Sequence, residues 1–392
     1  MKKINAILVT ILLIIVGCGE RKQSTEDFIV VDVTKNYSSK KELILQDFMD
    51  VEYIVLETND DFTNQGIAEY IGEKFILVKN RINDGNIFVY DRSGKALRKI
   101  NRKGQSGEEY IYIYGIALDE NSEEMFINDR PSKKIVVYDL YGNFKRSFKH
   151  KEGGGSLYYT DMFNYDKDHL ICYDGYNEES PFVLVSKQDG SITKEIKIPF
   201  KEKKAPGAIK NDEASGTTFR VGPKPYRKII TYNGNWILSE LSSDTVYSFL
   251  PDYTLQPFLV RTPPVQSMDP EIFLMLRLFS DRYYFMETME NTFNFKTSKG
   301  FSKTFMAYDK QEKSLFNYTV FNSDYSIKKE IYMNLLRPVN HEIESWQPLE
   351  AFQLVESYEK GELKGRLKEI AATLDKEDNP VIMLIKHKES EK

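Results

Sequence analysis

Short apolar runs, each closed by Asp and followed by a Gly-containing turn, recur along the chain. In NIFVYDRSGKALRKI (86–100) a strand-like run ends in Val-Tyr-Asp, a turn holds Gly94, and a second run carries an Arg. KIVVYDLYGNFKRSF (134–148) repeats the arrangement around Gly142, and Gly190 falls in a further run–turn–run stretch, PFVLVSKQDGSITKEI (181–196). Successive glycines are 48 residues apart. β-Branched and aromatic runs bounded by Asp and Gly read as hairpins. Weaker copies follow in DTVYSFLPDYTLQPFLV (244–260), with Asp252-Tyr253 at the turn, and in TFMAYDKQEKSLFNYTV (304–320), where Glu312 replaces the Gly. Further strand candidates precede these hairpins at 115–129, 161–174, 228–241 and 282–291. Two strands plus two make a four-stranded unit, and a period of about 40–50 residues with that content is the mark of a propeller blade.

Five hairpins predict five blades. VEYIVLET (51–58) stands alone near the N-terminus and NPVIMLIKHK (379–388) alone at the C-terminus. Pairing them completes a sixth blade and removes the exposed sheet edges of an open ring. The expectation is an all-β, six-bladed β-propeller of four-stranded blades over residues 28–392, with short helical insertions in its C-terminal half. One helix is expected to start at Asp269 as N-cap and Pro270 as first residue, with Phe273, Leu274, Leu276 and Leu278 apolar. The other falls within 348–374, where Leu367, Ile370, Ala371 and Leu374 have helical spacing and Gly361 and Gly365 interrupt or bound it. The Lys-, Gly- and Pro-rich stretch 201–227 reads as a long loop.

The start of the chain has a different pattern. Lys2 and Lys3 precede an apolar run from Ala6 to Val16 that only Thr10 breaks. A span needs about 20 residues, so this run fits a secretory h-region instead. It ends in IIVGCGE (14–20), which resembles a bacterial lipobox with Cys18 as the lipidated residue. Residues 1–17 are then a signal peptide and polar residues 18–27 a flexible tether. The expected address is the cell envelope, held by a lipid anchor, with the outer membrane as its membrane.

Composition narrows the partners. Without Lys2 and Lys3 the chain carries 52 basic and 59 acidic residues, a net of −7, which argues against nucleic acid. Cys172 is the remaining cysteine, so there is no disulfide framework or cysteine metal site. With 25 Tyr and 24 Phe the chain is rich in strand-forming aromatics.

Catalytic signatures are sparse. HEIES (341–345) lacks the second His of a zinc-protease helix, and only His150, His169, His341 and His387 exist. DENSEE (119–124) lacks the Gly of a calcium loop and reads as a hairpin turn. KHKEGGGS (149–156) has no helix after it to bind phosphate and reads as a connection. No cofactor is predicted, and a divalent cation is left open. The best ligand-binding candidate is RKGQSGEEY (102–110), where Arg102 can fork onto a carboxylate, sulfate or phosphate and Tyr110 can stack on a sugar or an aromatic. The competing reading is a structural turn in which Glu109 pairs with a neighbouring amide or Arg. PKPYRK (223–228), with Arg227, and SDRYYF (280–285), with Arg282, are further candidates for the rim of an axial channel.

Together, the Cys18 segment, the Ile-x-Val-Tyr-Asp-x-x-Gly hairpin, the 102–110 loop and EDNPVIMLIK (377–386) resemble the six-bladed β-propeller lipoproteins of Bacteroidetes, relatives of the NHL-repeat propellers. In the loop, Arg102, Gly104, Glu109 and Tyr110 match the family pattern, while Ser106-Gly107-Glu108 departs from its Gly-Pro-Gly. The resemblance implies fold and address, not a reaction. Two functional expectations follow. One is a membrane-anchored binding module for a glycan, peptide or envelope protein. The other is an envelope hydrolase or lyase using carboxylates at the propeller axis.

Overall fold

The structure, a computed structural model, describes residues 29–150, 159–212, 216–223, 226–333 and 343–388. Cys18, the tether and 151–158 lie outside the described residues, as does His341. The chain opens with β1 (Ile29–Asp32), β2 (Lys40–Ile44), a short α1 (Leu45–Phe48) and β3 (Asp50–Val55). Three antiparallel four-stranded blades follow: β4 (Ile67–Ile71) to β7 (Ala96–Asn101), with β5 (Phe75–Lys79) and β6 (Asn86–Asp91) between; β8 (Gly115–Asp119), β9 (Glu124–Asp129), β10 (Lys134–Asp139) and β11 (Phe144–Lys149); β12 (Tyr159–Asn164), β13 (His169–Asp174), β14 (Phe182–Ser186) and β15 (Ile192–Ile196). A hairpin of β16 (Ala208–Asp212) and β17 (Thr217–Val221) leads to the fourth blade, β18 (Ile229–Tyr232), β19 (Asn235–Leu238), β20 (Thr245–Phe249) and β21 (Leu255–Thr262). The fifth contains β22 (Ile272–Phe279) and β23 (Tyr283–Glu290), a small hairpin of β24 (Phe293–Asn294) and β25 (Lys299–Gly300), then β26 (Lys303–Asp309) and β27 (Ser314–Asn322), with β28 (Lys329–Glu330) beside its end. In the sixth, β29 (Ile343–Leu349) pairs with β30 (Val381–Lys386), and α2 (Ala351–Glu359) and α3 (Gly365–Ala371) lie between them in the chain. The fold is a six-bladed β-propeller.

The repeated Tyr-Asp-x-x-Gly motif has a local physical basis. Asp91 accepts hydrogen bonds from the amides of Ser93 and Lys95, and Asp139 from those of Tyr141 and Asn143. Gly94, Gly142 and Gly190 take φ of +91°, +80° and +75°, a region that costs an L-residue strain. Each Gly also meets the outer strand of the preceding blade. A Cβ at Gly94 would lie 2.1 Å from the Val55 carbonyl oxygen, and one at Gly190 would lie 2.2 Å from the Phe148 ring. The motif therefore makes the turn and lets the next blade approach. In the divergent copies Tyr253 takes the left-handed conformation at +66°, and in the last one Lys313, one residue after Glu312, takes it at +49°. The register slips by one residue near the same point, at Val89/Tyr90, Val137/Tyr138, Leu184/Val185 and Val246/Tyr247.

Apolar packing lies between blades. Ile76, Val78 and Phe88 of the first blade pack on Ile54, Trp346, Ile382 and Leu384 of the sixth. Side-chain bonds repeat across the seams: Arg98 donates to the Leu140 carbonyl (3.2 Å) and Arg146 to that of Lys187 (2.8 Å).

The ring closes as the lone terminal strands predict. β3 pairs antiparallel with β30, from Asp50↔Lys386 to Val55↔Val381. Buried Asn379 seals this joint: its side-chain amide donates to the carbonyls of Glu57 and Phe62, and its oxygen accepts from the Asn64 amide. Before closing the ring, β1 adds in parallel to β21 and β2 in parallel to β27. The N-terminal segment thus crosses three blades as a belt. The fourth and fifth blades gain an outer strand, and the sixth sheet has three strands.

Two local expectations are corrected. The stretch after Pro270 is strand β22, not a helix. Leu274 and Leu276 pack toward the fourth blade, while Leu278 joins the cluster with Met383 and Ile385 of the sixth. A strand buried on both faces is apolar at nearly every position, so its pattern mimics an apolar helix. The stretch 201–227 is not all loop, because β16 and β17 form an exposed hairpin within it. The stretch 348–374 is helical as expected but forms two helices, with Gly361 (φ +69°) between them and Gly365 (φ +50°) opening the second.

Glu52 on β3 forks onto Arg92 (2.9 and 3.0 Å) and also accepts from Lys386 (3.2 Å), linking the joint to the first blade. Burial opposes ionisation, but the bonds and charge of Arg92 and Lys386 outweigh it and hold the carboxyl below its ordinary value of 4.5. A lowered carboxyl stabilises the fold above the unfolded value, and that stability is lost as pH falls through the folded value. Unfolding free energy is expected to stay level down to about pH 5 and to fall below about pH 4.5. Glu52→Gln is expected to be less stable at pH 7, with a shallower acid slope, in urea titrations across pH. An unchanged slope counts against this role.

Candidate functional site

The first strand of each blade stands nearest the axis. On the face where β5 turns into β6, these strands frame a cavity of about 680 Å³. Ile67 and Glu69 of β4, Asp161 and Phe163 of β12, Ile229 of β18 and Arg277 of β22 line it. The 80–85 loop, residues 112–114 before β8, and Tyr226-Arg227 before β18 complete the wall. Five blades or their connections contribute, so the cavity is the mouth of the propeller axis.

Its charges are held by ion pairs. Glu69 pairs with Lys79 (3.0 Å), which also donates to the Ile113 carbonyl (2.8 Å). Asp161 pairs with Lys228 (3.0 Å), whose ammonium lies over the Tyr226 ring at 4.6 Å. Asp84 accepts from the side-chain amides of Asn80 (2.6 Å) and Asn86 (2.8 Å). Burial works against its ionisation, but these bonds prevail and hold its carboxyl below the usual range. Arg277 donates to Glu287, which also receives Lys303 (2.6 Å). At the rim, Tyr112, Tyr114 and Ile82 are exposed, and Arg130 stacks over Tyr114 at 4.3 Å.

A second cleft, of about 970 Å³, lies between the second and third blades on the opposite face. Its charged groups satisfy one another. Lys187 bonds Asp119 and the Asp166 carbonyl (both 2.6 Å), and Arg146 forks onto Glu124 (2.8 and 2.7 Å). Residues 119–124 form the β8–β9 turn here, with Asp119 accepting the Asn121 amide. This cleft is a polar seam between blades, whereas the mouth combines charge with the partly exposed rings of Tyr112 and Tyr114.

The 102–110 loop is a structural knot. Tyr110 is fully buried, so its ring offers no face for a sugar, and the stacking expectation is corrected. Its ring lies edge-on to Tyr138 at 6.0 Å, and its hydroxyl donates to the Gly85 carbonyl (2.6 Å) and accepts from the Arg102 amide (3.0 Å). Burial pushes that hydroxyl up to about 12. Arg102 is exposed, but its Nε donates to the Gly142 carbonyl (2.8 Å). Glu109 accepts the Ser106 amide (2.9 Å), and its carboxyl is held below the ordinary range by that bond. Arg282 lies at the other end of the propeller, in the β22–β23 turn, paired with Asp309 (3.0 Å). Among the five ligand-binding candidates, Arg227 lines the mouth.

Sequence reasoning missed Glu69, Asp161, Tyr112, Tyr114 and Arg277. Arg277 carried a readable signal, a single charge inside the apolar run IFLMLRLF (272–279). Tyr112 and Tyr114 alternate with Ile111 and Ile113 just ahead of β8.

Residues 28–386 match the model of DUF4934, a domain of unknown function. No curated protein matches the chain. Among solved structures, a Bacteroides fragilis protein thought to be exported is 15% identical, over 92% of this chain and 99% of its own, with a TM-score of 0.56. A member of the DUF4221 family from Bacteroides vulgatus is 8% identical, over 87% of this chain and 99% of its own, with a TM-score of 0.47. The likeness to the first is one of fold.

Tyr110→Phe is expected to cost about 1–3 kcal/mol of stability by leaving the Gly85 carbonyl and the Arg102 amide without that partner. Denaturant midpoints measure it. An unchanged midpoint is the contrary result.

Proposed function

The chain belongs to the DUF4934 family, and we propose that it works as a lipid-anchored binding module of the cell envelope, with the axial mouth as its ligand seat. The mouth carries this reading: a cavity of about 680 Å³ on the axis, with exposed Tyr112 and Tyr114 at its rim and several charged groups converging on it. Ligand sites favour concave places with aromatic walls and a few placed polar groups. The closed ring supplies a rigid frame, and the ligand classes are a glycan, a peptide or an envelope protein. The address rests on Lys2, Lys3, the apolar run 6–16 and Cys18. The hairpin repeat supports kinship with NHL-type propellers.

A hydrolase or lyase acting through axial carboxylates is the alternative. General acid–base work needs a carboxyl placed to exchange a proton with substrate. Glu69 and Asp161 are each tied to a lysine, and Asp84 to two amides. This arrangement favours recognition over turnover.

Thermal unfolding of the purified chain against oligosaccharides, envelope peptides and divalent cations tests the seat. A native-state ligand at 100 times its Kd adds about 2.7 kcal/mol. Tyr112→Ala with Tyr114→Ala is expected to remove that gain, and a gain that survives both changes places the seat elsewhere. For the anchor, Cys18→Ala is expected to shift the protein from the detergent phase to the aqueous phase on partitioning. Retention in detergent contradicts lipidation.

A further inference from the structure

Among the described residues that line the mouth, Arg277 is the one with a buried side-chain polar atom left without a hydrogen-bond partner. It lies on β22, lines the cavity and is 5% exposed. Glu287, fully buried, takes both Arg277 and Lys303, so two cations share one carboxylate. Arg277 Nε has no hydrogen-bond partner, and neither do Glu287 Oε2 and the Tyr318 hydroxyl nearby. A buried donor left unmet is costly, more so when it is charged. The cluster therefore leaves a buried charged donor, Arg277 Nε, without a partner and sets two cations against one carboxylate beside an open cavity.

The rest of the lining points the same way. Lys79, Arg81, Arg227 and Arg277 stand against Glu69, Asp84 and Asp161, on a chain whose overall net charge is −5. Tyr112, Tyr114, Phe163 and Tyr226 also line the cavity. Aromatic rings carry negative faces, and the CH-bearing face of a sugar ring packs on such a surface. A cavity of about 680 Å³ lies in the range for small ligands, about 300–1,000 Å³, and so suits a short saccharide better than a folded protein.

On the reading that the mouth is the ligand seat, we infer that it takes a short acidic saccharide, with Arg277 receiving the sugar carboxylate and the tyrosines holding the ring. Arg277 supplies a charge-assisted bond, and Arg227 and Arg81 add attraction at the rim. A neutral sugar of the same shape would leave Arg277 unmet.

The test uses the purified full chain and an array of uronic-acid and sialic-acid oligosaccharides, each beside its carboxyl-reduced counterpart, followed by titration calorimetry on the tightest binder. Acidic members are expected to bind tenfold or more tighter than their reduced partners, the scale of a charge-assisted hydrogen bond. Arg277→Gln is expected to erase that preference while leaving part of the affinity for the neutral sugar. If Arg277→Gln fails to fold, Arg227→Gln is the second variant, expected to narrow the preference and weaken its salt dependence. Equal binding of acidic and reduced sugars overturns the inference and leaves the mouth as a seat. Binding of an acidic peptide such as oligo-glutamate, with no saccharide bound, overturns it in the same way. Acidic-sugar binding that Tyr112→Ala, Tyr114→Ala and the two arginine variants all leave unchanged overturns both this inference and the seat itself.

Discussion

The structure depends on one pairing, β3 on β30, which joins the two ends of the chain into one sheet. A ring of blades left open at this point would expose two unsatisfied edges and would lose the apolar contacts between its first and last blades. Asn379 reinforces the joint, since its side chain bonds three backbone groups of the 57–64 segment. Glu52, Arg92 and Lys386 add a charged link across it. Because each blade buries its faces only against neighbours, stability is a property of the closed ring.

The belt extends the same logic. β1 and β2 satisfy the outer edges of the fourth and fifth blades in parallel before β3 closes the sixth. Among the described residues no further strand pairs with the outer strands of the first three blades, and exposed positions on them carry lysine, Lys99 in ALRKIN (96–101) and Lys145 and Lys149 in FKRSFK (144–149). Lysine and arginine on an edge discourage pairing with other chains. The molecule therefore covers two of its edges with its own N-terminal strands and places lysines on the outer strands of the first two blades.

The division between scaffold and site is sharp. Arg102, Glu109 and Tyr110, the most motif-like residues in the chain, spend their polar groups on the connection between the first two blades. The mouth uses residues with no motif around them, on inner strands and connecting loops. A rigid ring with an aromatic, charge-lined mouth is suited to recognition, and the ring's seams keep the mouth residues in register.

The sequence by itself determined the repeat, the turns, the ring closure and the C-terminal helices. Asp91, Gly94 and their equivalents act within a few residues, so their hydrogen bonds and backbone angles are written locally. The lone strands 51–58 and 379–388 were legible as partners because every other strand had one. Tertiary structure alone decided the strand identity of 272–279, whose burial on both faces erases any period. It also decided the parallel belt, since edge pairing between β1 and β21 joins segments some 230 residues apart and leaves no local trace. The mouth was decided there too: Glu69, Asp161, Arg227 and Arg277 meet only when blades far apart in sequence turn their inner strands to one axis.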